Sequence, residues 1–332
     1  MTILTIEEAR ELAHASMAAC GHTADEAATI ADHLIDCELR GLGYGGLARC
    51  VSLVEHLRNP GTVREPMRVV RESAASAQIN GGNQVGYLVA SKATDMAISK
   101  ARQQGMATVG AARTWLTGMF SYYLERVTAA GFVGMIAGSG TQLVAPHGGT
   151  EPRFCTNPIA FGFPSTGTPV IWDTGTASMT WAEVVLAKRL GHPLPEGIAF
   201  DADGNPTSDP AAALMGAISV WGGHRGSGLA MSIQLHGMLA GQVNSRDPLG
   251  DCGFFIMALD PGMFGDADEF RQRVTGFAEE LRSTRPLDPA VPVRVPFERS
   301  AAEREVRRAA GVIEVDEVVV RALRTACSSR HE

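Results

Sequence analysis

The chain has 332 residues, 45 % hydrophobic and 20 % charged, enough for one large or two smaller globular domains; this excludes a disulfide mini-protein, a collagen-like repeat and a disordered tail. Lys and Arg number 29 against 36 Asp and Glu, a net charge of −7. No basic face is available to neutralise a phosphate backbone, so nucleic acid is not an expected partner. Glycine is in excess at 37 residues, about 11 % against a background near ~7 % and without periodic spacing, which implies many tight turns and backbone brought close to a ligand.

Six cysteines, Cys20, Cys37, Cys50, Cys155, Cys252 and Cys327, lie far apart with no C-x-x-C pair. They read as reduced structural thiols, with neither a zinc site nor a disulfide framework, and no metal is expected. The opening MTILTIEEAR has no basic or apolar leader region, and no apolar run approaches a membrane span. A cytoplasmic protein is the expectation.

Two capping boxes open the chain. Thr5-Ile-Glu-Glu8 and Thr23-Ala-Asp-Glu26 each set a hydroxyl three residues before a carboxylate, predicting helices over 6–20 and 24–40. Ala28, Ile30, Ala31, Leu34, Ile35 and Leu39 form the apolar stripe of the second, and Gly41 stands where it should end. Leu42-Gly-Tyr-Gly-Gly46 is too glycine-rich for a routine connection to the helical pattern of Leu47–Leu57. From about residue 65 the texture changes to short β-prone runs at Met67–Val70, Met106–Gly110, Phe132–Ala137, Ile159–Phe163, Val170–Trp172 and Gly253–Leu259. Helices are expected between them at 88–104, 119–130, 180–190 and 227–240, with 107–111 and 132–137 flanking one helix as a strand-helix-strand unit. Asp201-Ala-Asp-Gly-Asn-Pro-Thr207 reads as a surface turn. Beyond Pro261 the chain is helical again, over Phe270–Ser283, Ala301–Ala310 and Glu317–Cys327. No Ser- or Pro-rich linker intervenes, so the N- and C-terminal helices are expected to pack together beside one central sheet domain.

The usual signatures are missing. Gly138-Ser-Gly-Thr-Gln-Leu143 follows a strand but lacks the third glycine of a Rossmann fingerprint and leads to Pro146, so it reads as a turn. Gly222-Gly-His-Arg-Gly-Ser-Gly228 opens an apolar helix and sets His224 and Arg225 at a helix N-terminus, a place suited to an anion such as a nucleotide phosphate; the same residues also read as a plain glycine-rich turn. Pro146–Pro152 and Cys155-Thr-Asn-Pro158 either line a pocket or only build turns. His14, His33 and His56 sit in helical patterns and read as structural.

Taken in order, Thr156-Asn-Pro-Ile-Ala-Phe161, Asp173 with Thr176-Ala177, Asp201–Thr207 and Gly222-Gly-His-Arg-Gly226 resemble the malate/L-lactate dehydrogenase family, which is unrelated to the Rossmann lactate dehydrogenases and includes ureidoglycolate, sulfolactate and diketogulonate oxidoreductases and Δ1-piperideine-2-carboxylate reductases. The resemblance spans nearly the whole chain, including the paired N-terminal helices, Asn83 in an Asn-Gly-type turn and the charged stretch near Pro296–Arg304. It implies an α/β fold in which a central mixed β-sheet, not of Rossmann type, binds a nicotinamide cofactor (residues 71–265), with a helical domain from both termini (1–70 plus 266–332), NADPH or NADH as cofactor, and a homodimer.

The family's catalytic segment corresponds to Arg40-Gly-Leu-Gly-Tyr-Gly-Gly-Leu-Ala-Arg49. Arg49 is retained and is implied to hold a substrate carboxylate. Gly45 stands where relatives carry a catalytic His, Tyr44 replaces the Ser before it, and Leu42 an earlier His. The cofactor loop corresponds to Leu116, Thr117, Gly118 and Met119, with Leu116 in place of a His. Asp173, Thr174 and Gly175 are implied to lie near the nicotinamide, His224 and Arg225 at a nucleotide phosphate, and Arg299 on the cofactor. Thr156, Trp181 and Ala182 are implied substrate contacts, and Glu183 stands for the carboxylate that orients the catalytic pair.

Ketone reduction needs a proton for the developing alkoxide, and glycine cannot supply one. A protonated cyclic imine needs none from the protein. The reading is therefore an NAD(P)H-dependent reductase of a C=N or C=O bond on a small carboxylate-bearing substrate. One alternative is a redox-inactive member that binds a metabolite or catalyses a tautomerisation or elimination; another is a 2-hydroxyacid dehydrogenase with Tyr44 or Glu183 as acid. The added aromatic side chains suggest an unusual substrate of secondary metabolism, although they also read as core filling.

Overall fold

The computed structural model describes residues 1–243 and 250–328. Both capping boxes form: Thr5 and Thr23 accept from the amides of Glu8 and Glu26, whose carboxylates reach back, and start helices α1 (Ile6–Ala19) and α2 (Ala24–Leu39) after a short strand β1 (Thr2–Thr5). The glycine-rich stretch becomes a 3₁₀ turn over Gly43–Gly45 that leads into α3 (Leu47–Leu57).

The central region comprises β2 (Arg68–Glu72), β3 (Ser76–Val85), α4 (Gly86–Gln104), β4 (Met106–Trp115), α5 (Phe120–Ala129), β5 (Val133–Ser139), β6 (Val144–Ala145), β7 (Ile159–Phe163), β8 (Val170–Thr174), α6 (Trp181–Leu190), β9 (Ala199–Phe200), α7 (Pro210–Met215), β10 (Ala217–Ser219), α8 (His224–Leu239) and β11 (Gly253–Leu259). It is followed by α9 (Ala267–Arg282), α10 (Glu298–Ala310), β12 (Val312–Val315) and α11 (Glu317–Ser328). Seven strands form one mixed sheet in the order β2-β3-β4-β11-β5-β7-β8.

The sheet departs from the strand-helix-strand expectation in one respect. The strands flanking α5, β4 and β5, do not touch, because β11 lies antiparallel between them. The adjacent parallel pair is β3 with β4, joined by α4. Strand β3 escapes the sequence reading because Ser76-Ala-Gln-Ile-Asn-Gly-Gly-Asn-Gln-Val85 is polar and glycine-rich. Its pairing shifts register between Asn80 and Gln84, where Gly82 and Asn83 take positive φ. Asn83 is thus part of an irregularity within a strand.

Alternation along β11 sorts the layers: Phe254, Ile256 and Ala258 pack with α4 and α5, while Phe255 meets Ile233 and Leu229 of α8 on the other face. A separate cluster gathers Val144, Val184, Leu194, Ile218 and Ala230 beside the three-stranded sheet β6-β10-β9. The termini meet directly, since β1 pairs antiparallel with β12 and α1, α2, α3 and α11 share one core.

A buried ionic cluster joins the terminal helices to the sheet layer. Arg40, at the end of α2 and fully buried, bonds Asp36 at 2.6 Å and Glu125 of α5. Arg304 of α10 reaches the same two carboxylates at 3.1 and 2.7 Å, and Phe297 lies flat against the Arg40 guanidinium at 4.7 Å. All six cysteines are free, and among the described residues no helix is long and apolar enough to cross a membrane.

Candidate active site

A cavity of about 470 Å³ opens between the α2–α3 connection, the C-terminal ends of β4 and β8, the start of α6 and the start of α10. Tyr44, Arg49, Leu116, Thr117, Gly118, Met119, Asp173, Thr174, Gly175, Trp181, Ala182 and Arg299 all line it. These residues run from position 44 to position 299, and the fold brings them to one place.

One wall is internally bonded. The loop 116–119 is held at the Thr117 carbonyl by the Tyr123 hydroxyl (2.8 Å) and at the Met119 amide by Nε2 of His33 (2.9 Å). His33 is fully buried against Tyr87, Tyr122 and Tyr123, and burial pushes its pKa down to about 3. It is a neutral imidazole with the proton on Nδ1, since Nε2 must accept. Gly118 has φ of +79°, and a Cβ there would lie 2.3 Å from the Tyr87 ring and 2.5 Å from His33 Nε2, so only glycine passes this point. Asp173, at the end of β8, accepts the Ser121 amide at 2.7 Å and so caps α5; burial raises its pKa. Trp221 donates its indole N–H to the Gly175 carbonyl, and its amide to Thr176 at 3.1 Å.

The opposite wall is built differently. Glu38 caps α3 by accepting the Leu47 amide at 2.6 Å. A Cβ on Gly46 would lie 2.3 Å from its carboxylate, so that glycine is required by the cap. Burial pushes the Glu38 carboxyl up to about 7. The cap fixes the turn bearing Tyr44 and the first helical turn bearing Arg49. Arg49 faces the cavity beside Tyr87, Cys37 and Tyr44, and among the described residues no carboxylate pairs with it. Burial, then the charge of Glu183, pushes the Tyr44 phenol up to about 12, so it remains a protonated donor. Arg299 is exposed at the mouth and likewise unpaired among the described residues.

Other expected residues fall around this cavity. Glu183 does not line it: its carboxylate accepts both the amide and the hydroxyl of Thr180 at 2.7 Å, completing the capping box that starts α6. Thr156 lies between Cys155 and Pro158, which do line the cavity, and its carbonyl accepts from Thr176 at 2.8 Å. His224 and Arg225 are exposed at the N-terminus of α8, next to Gly222 and Gly223 in left-handed conformations, and Trp221 links this end to Gly175. Among the described residues no histidine lines the cavity.

Sequence reasoning misses His33, Cys37, Tyr87 and Cys252 as parts of this site. The available signal for His33 was its position on the inward stripe of α2 with Ile30, Leu34 and Cys37, which reads equally as core.

The sequence profile of the malate/L-lactate dehydrogenase family matches residues 4–324. L-sulfolactate dehydrogenase of Methanothermobacter thermautotrophicus is 35 % identical over 299 residues, covering 87 % of this chain and 85 % of that protein. Delta(1)-pyrroline-2-carboxylate reductase of Ancylobacter novellus is 31 % identical over 323 residues, 93 % of each. The solved sulfolactate dehydrogenase of Methanocaldococcus jannaschii superimposes with a TM-score of 0.86 at 28 % identity, over 99 % of this chain and 97 % of that one.

Proposed function

The chain belongs to the malate/L-lactate dehydrogenase family, and from that premise we propose that it is an NAD(P)H-dependent reductase of a small carboxylate-bearing substrate whose acceptor is a C=N bond, a cyclic imine, in preference to a C=O bond. The observation that carries this reading is the pairing, among the described residues, of an Arg49 without a carboxylate partner and a protonated Tyr44 in a cavity lined by no histidine.

The residues present fit NADH or NADPH, the reductants of this family. Leu116–Met119 and Asp173–Gly175 form a backbone wall for the nicotinamide end, and Arg299 stands at the mouth. His224 and Arg225 offer two basic side chains at a helix N-terminus for a phosphate. Bound cofactor supplies the hydride. Arg49 holds the substrate carboxylate through a charge-assisted pair. The Tyr44 hydroxyl oxygen accepts the iminium N–H, or its O–H donates to a carbonyl oxygen. An iminium carries its own proton, so the protein needs no strong acid. An alkoxide would need one, and a phenol held near 12 is poorly matched to that task at neutral pH. Glu183, engaged by Thr180, acts here through its charge on Tyr44.

Stopped-flow fluorescence with NADPH and a Δ1-pyrroline or Δ1-piperideine carboxylate, beside pyruvate and oxaloacetate, tests the reading. Cofactor oxidation with the imines is expected. Oxidation with the keto acids alone would overturn the C=N assignment, and failure to bind either cofactor would favour a non-redox role.

A homodimer in the cytoplasm belongs to this reading. The dimer is supported by the outer face of α8, where Met231, Leu235, Met238 and Leu239 are exposed on a helix whose inner face already packs on the sheet. Light scattering of a Leu235→Glu variant checks it. The two-part division, 1–70 plus 266–332 against 71–265, is likewise proposed, supported by the β1–β12 pairing and the terminal-helix core.

A further inference from the structure

The part of the cavity around Arg49 has a one-sided chemistry. Cys37, Tyr44 and Tyr87 lie beside Arg49, and Leu42, Gly45, Trp181 and Phe297 line the same cavity. Among the described residues its one inner cation is Arg49. The carboxylate lining the cavity, Asp173, is already engaged by the Ser121 amide. A second cation, Arg299, stands only at the exposed rim. A substrate bearing two anionic groups would leave one of them without a cation inside the cavity, at a desolvation cost that hydroxyl groups such as Thr117 and Thr180 offset only in part.

Gly45 determines the depth of this end. A Cβ there would stand 3.3 Å from Cys37 Sγ and 3.6 Å from Cys37 Cβ, with no other heavy atom outside its own turn within 4 Å. The first contact is tighter than an ordinary van der Waals contact, so any side chain at 45 would press on the buried Cys37 thiol, and glycine leaves that thiol as the floor of the cavity here. Burial raises the Cys37 pKa well above the ordinary thiol range, so the sulfur stays protonated and behaves as a small apolar surface. The 3₁₀ turn packs beside α6, whose first residue, Trp181, supplies a broad aromatic wall. Floor and wall together form an apolar slot next to a single carboxylate anchor.

We propose that this slot makes the enzyme specific for monocarboxylate imines whose remaining body is a bulky apolar or aromatic ring, with Gly45 and Cys37 as the specificity-determining residues. The proposal rests on the reductase reading above. Arg49 takes the carboxylate, the ring lies over Gly45 against Trp181, and dicarboxylates are disfavoured because, among the described residues, no second inner cation meets their second charge. An apolar pocket discriminates by about 10- to 200-fold per methylene added or removed, which sets the scale of the effect.

The test is a comparison of kcat/KM for wild type, Gly45→Ala and Gly45→Val, with NADPH and three acceptors: a dihydroisoquinoline carboxylate, Δ1-pyrroline-2-carboxylate and oxaloacetate. Wild type is expected to favour the aryl-fused imine over oxaloacetate by at least about tenfold. Gly45→Val is expected to lower turnover of the aryl-fused imine at least about tenfold more than that of the pyrroline, with Gly45→Ala between. Quenching of tryptophan fluorescence by NADPH verifies that each variant is folded and loaded. Equal losses on both imines overturn the slot while leaving the reductase reading intact; wild-type preference for oxaloacetate overturns the slot and the C=N preference together. Absence of cofactor binding by wild type overturns both.

Discussion

The two walls of the cavity differ in where their polar groups find partners. On the side of Leu116–Met119 and Asp173, they are engaged within the protein: the Met119 amide by His33, the Thr117 carbonyl by Tyr123, Asp173 by Ser121. On the side of Tyr44, Arg49 and Arg299, the backbone is fixed by the Glu38 cap, yet no protein carboxylate pairs with either arginine among the described residues. The first wall is built to have a shape, and the second to present a charge without its counter-charge. A buried guanidinium without a partner is costly, and a bound carboxylate relieves that cost.

The comparison is broken most severely where the two walls are tied together. Arg40→Ala removes the fully buried cation between Asp36 and Glu125 and leaves Arg304 to face both carboxylates alone. We expect about 3–5 kcal/mol lost from the unfolding free energy, measured by urea denaturation. A loss under about 1 kcal/mol would mean the cluster does not bind the terminal helices to the sheet layer.

The bonded wall can be loosened by itself. His33→Leu orphans the Met119 amide, at a cost of about 1–3 kcal/mol. It is expected to raise the cofactor KM about tenfold or more while leaving kcat closer to wild type. His33→Gln, which can still present an acceptor to that amide, should recover most of the affinity. Equal KM for Leu and Gln would deny the positioning role.

The same two anchors give opposite pH slopes. His33 titrates near 3 when folded and 6.5 ordinarily, so its stabilising term is present above 6.5 and is lost as pH falls. Glu38 titrates near 7 instead of 4.5, so its term is present below 4.5 and is lost as pH rises towards 7. Between pH 5 and 6.5 the two oppose each other. Glu38→Gln should make stability rise with pH by about 1 kcal/mol per unit more than wild type, and His33→Gln should shift it equally in the other direction. Unfolding free energies measured across that range decide the signs.

The smallest expected effect lies on the unpartnered wall. Tyr44→Phe removes one neutral hydrogen bond, worth about 1 kcal/mol. Imine turnover should fall only about fivefold, and keto-acid reduction, for which the phenol is already a poor donor, should fall somewhat further. Full activity of the variant on both would remove Tyr44 from the site.

What was legible beforehand follows the same division. Helices with capping boxes or strong apolar stripes, such as Ile6–Ala19 and Ala24–Leu39, could be read locally because their signals lie within one turn. Strand β3 could not, since its Asn-Gly-Gly-Asn centre follows turn chemistry and only tertiary pairing makes it a strand. Arg49, Tyr44 and the 116–119 loop were reached by resemblance, and their convergence is a product of the sheet order. His33 was invisible as a site residue because its partner, the Met119 amide, lies 86 positions away and carries no side-chain signature.

The most direct test of the account is Arg49→Met, compared with wild type for NADPH affinity by fluorescence titration and for turnover of Δ1-pyrroline-2-carboxylate. The account predicts cofactor binding close to wild type and about a hundredfold loss of kcat/KM, carried by the substrate KM, as a charge-assisted contact of this kind is removed. Unchanged kcat/KM, or equal losses of cofactor and substrate binding, would contradict it.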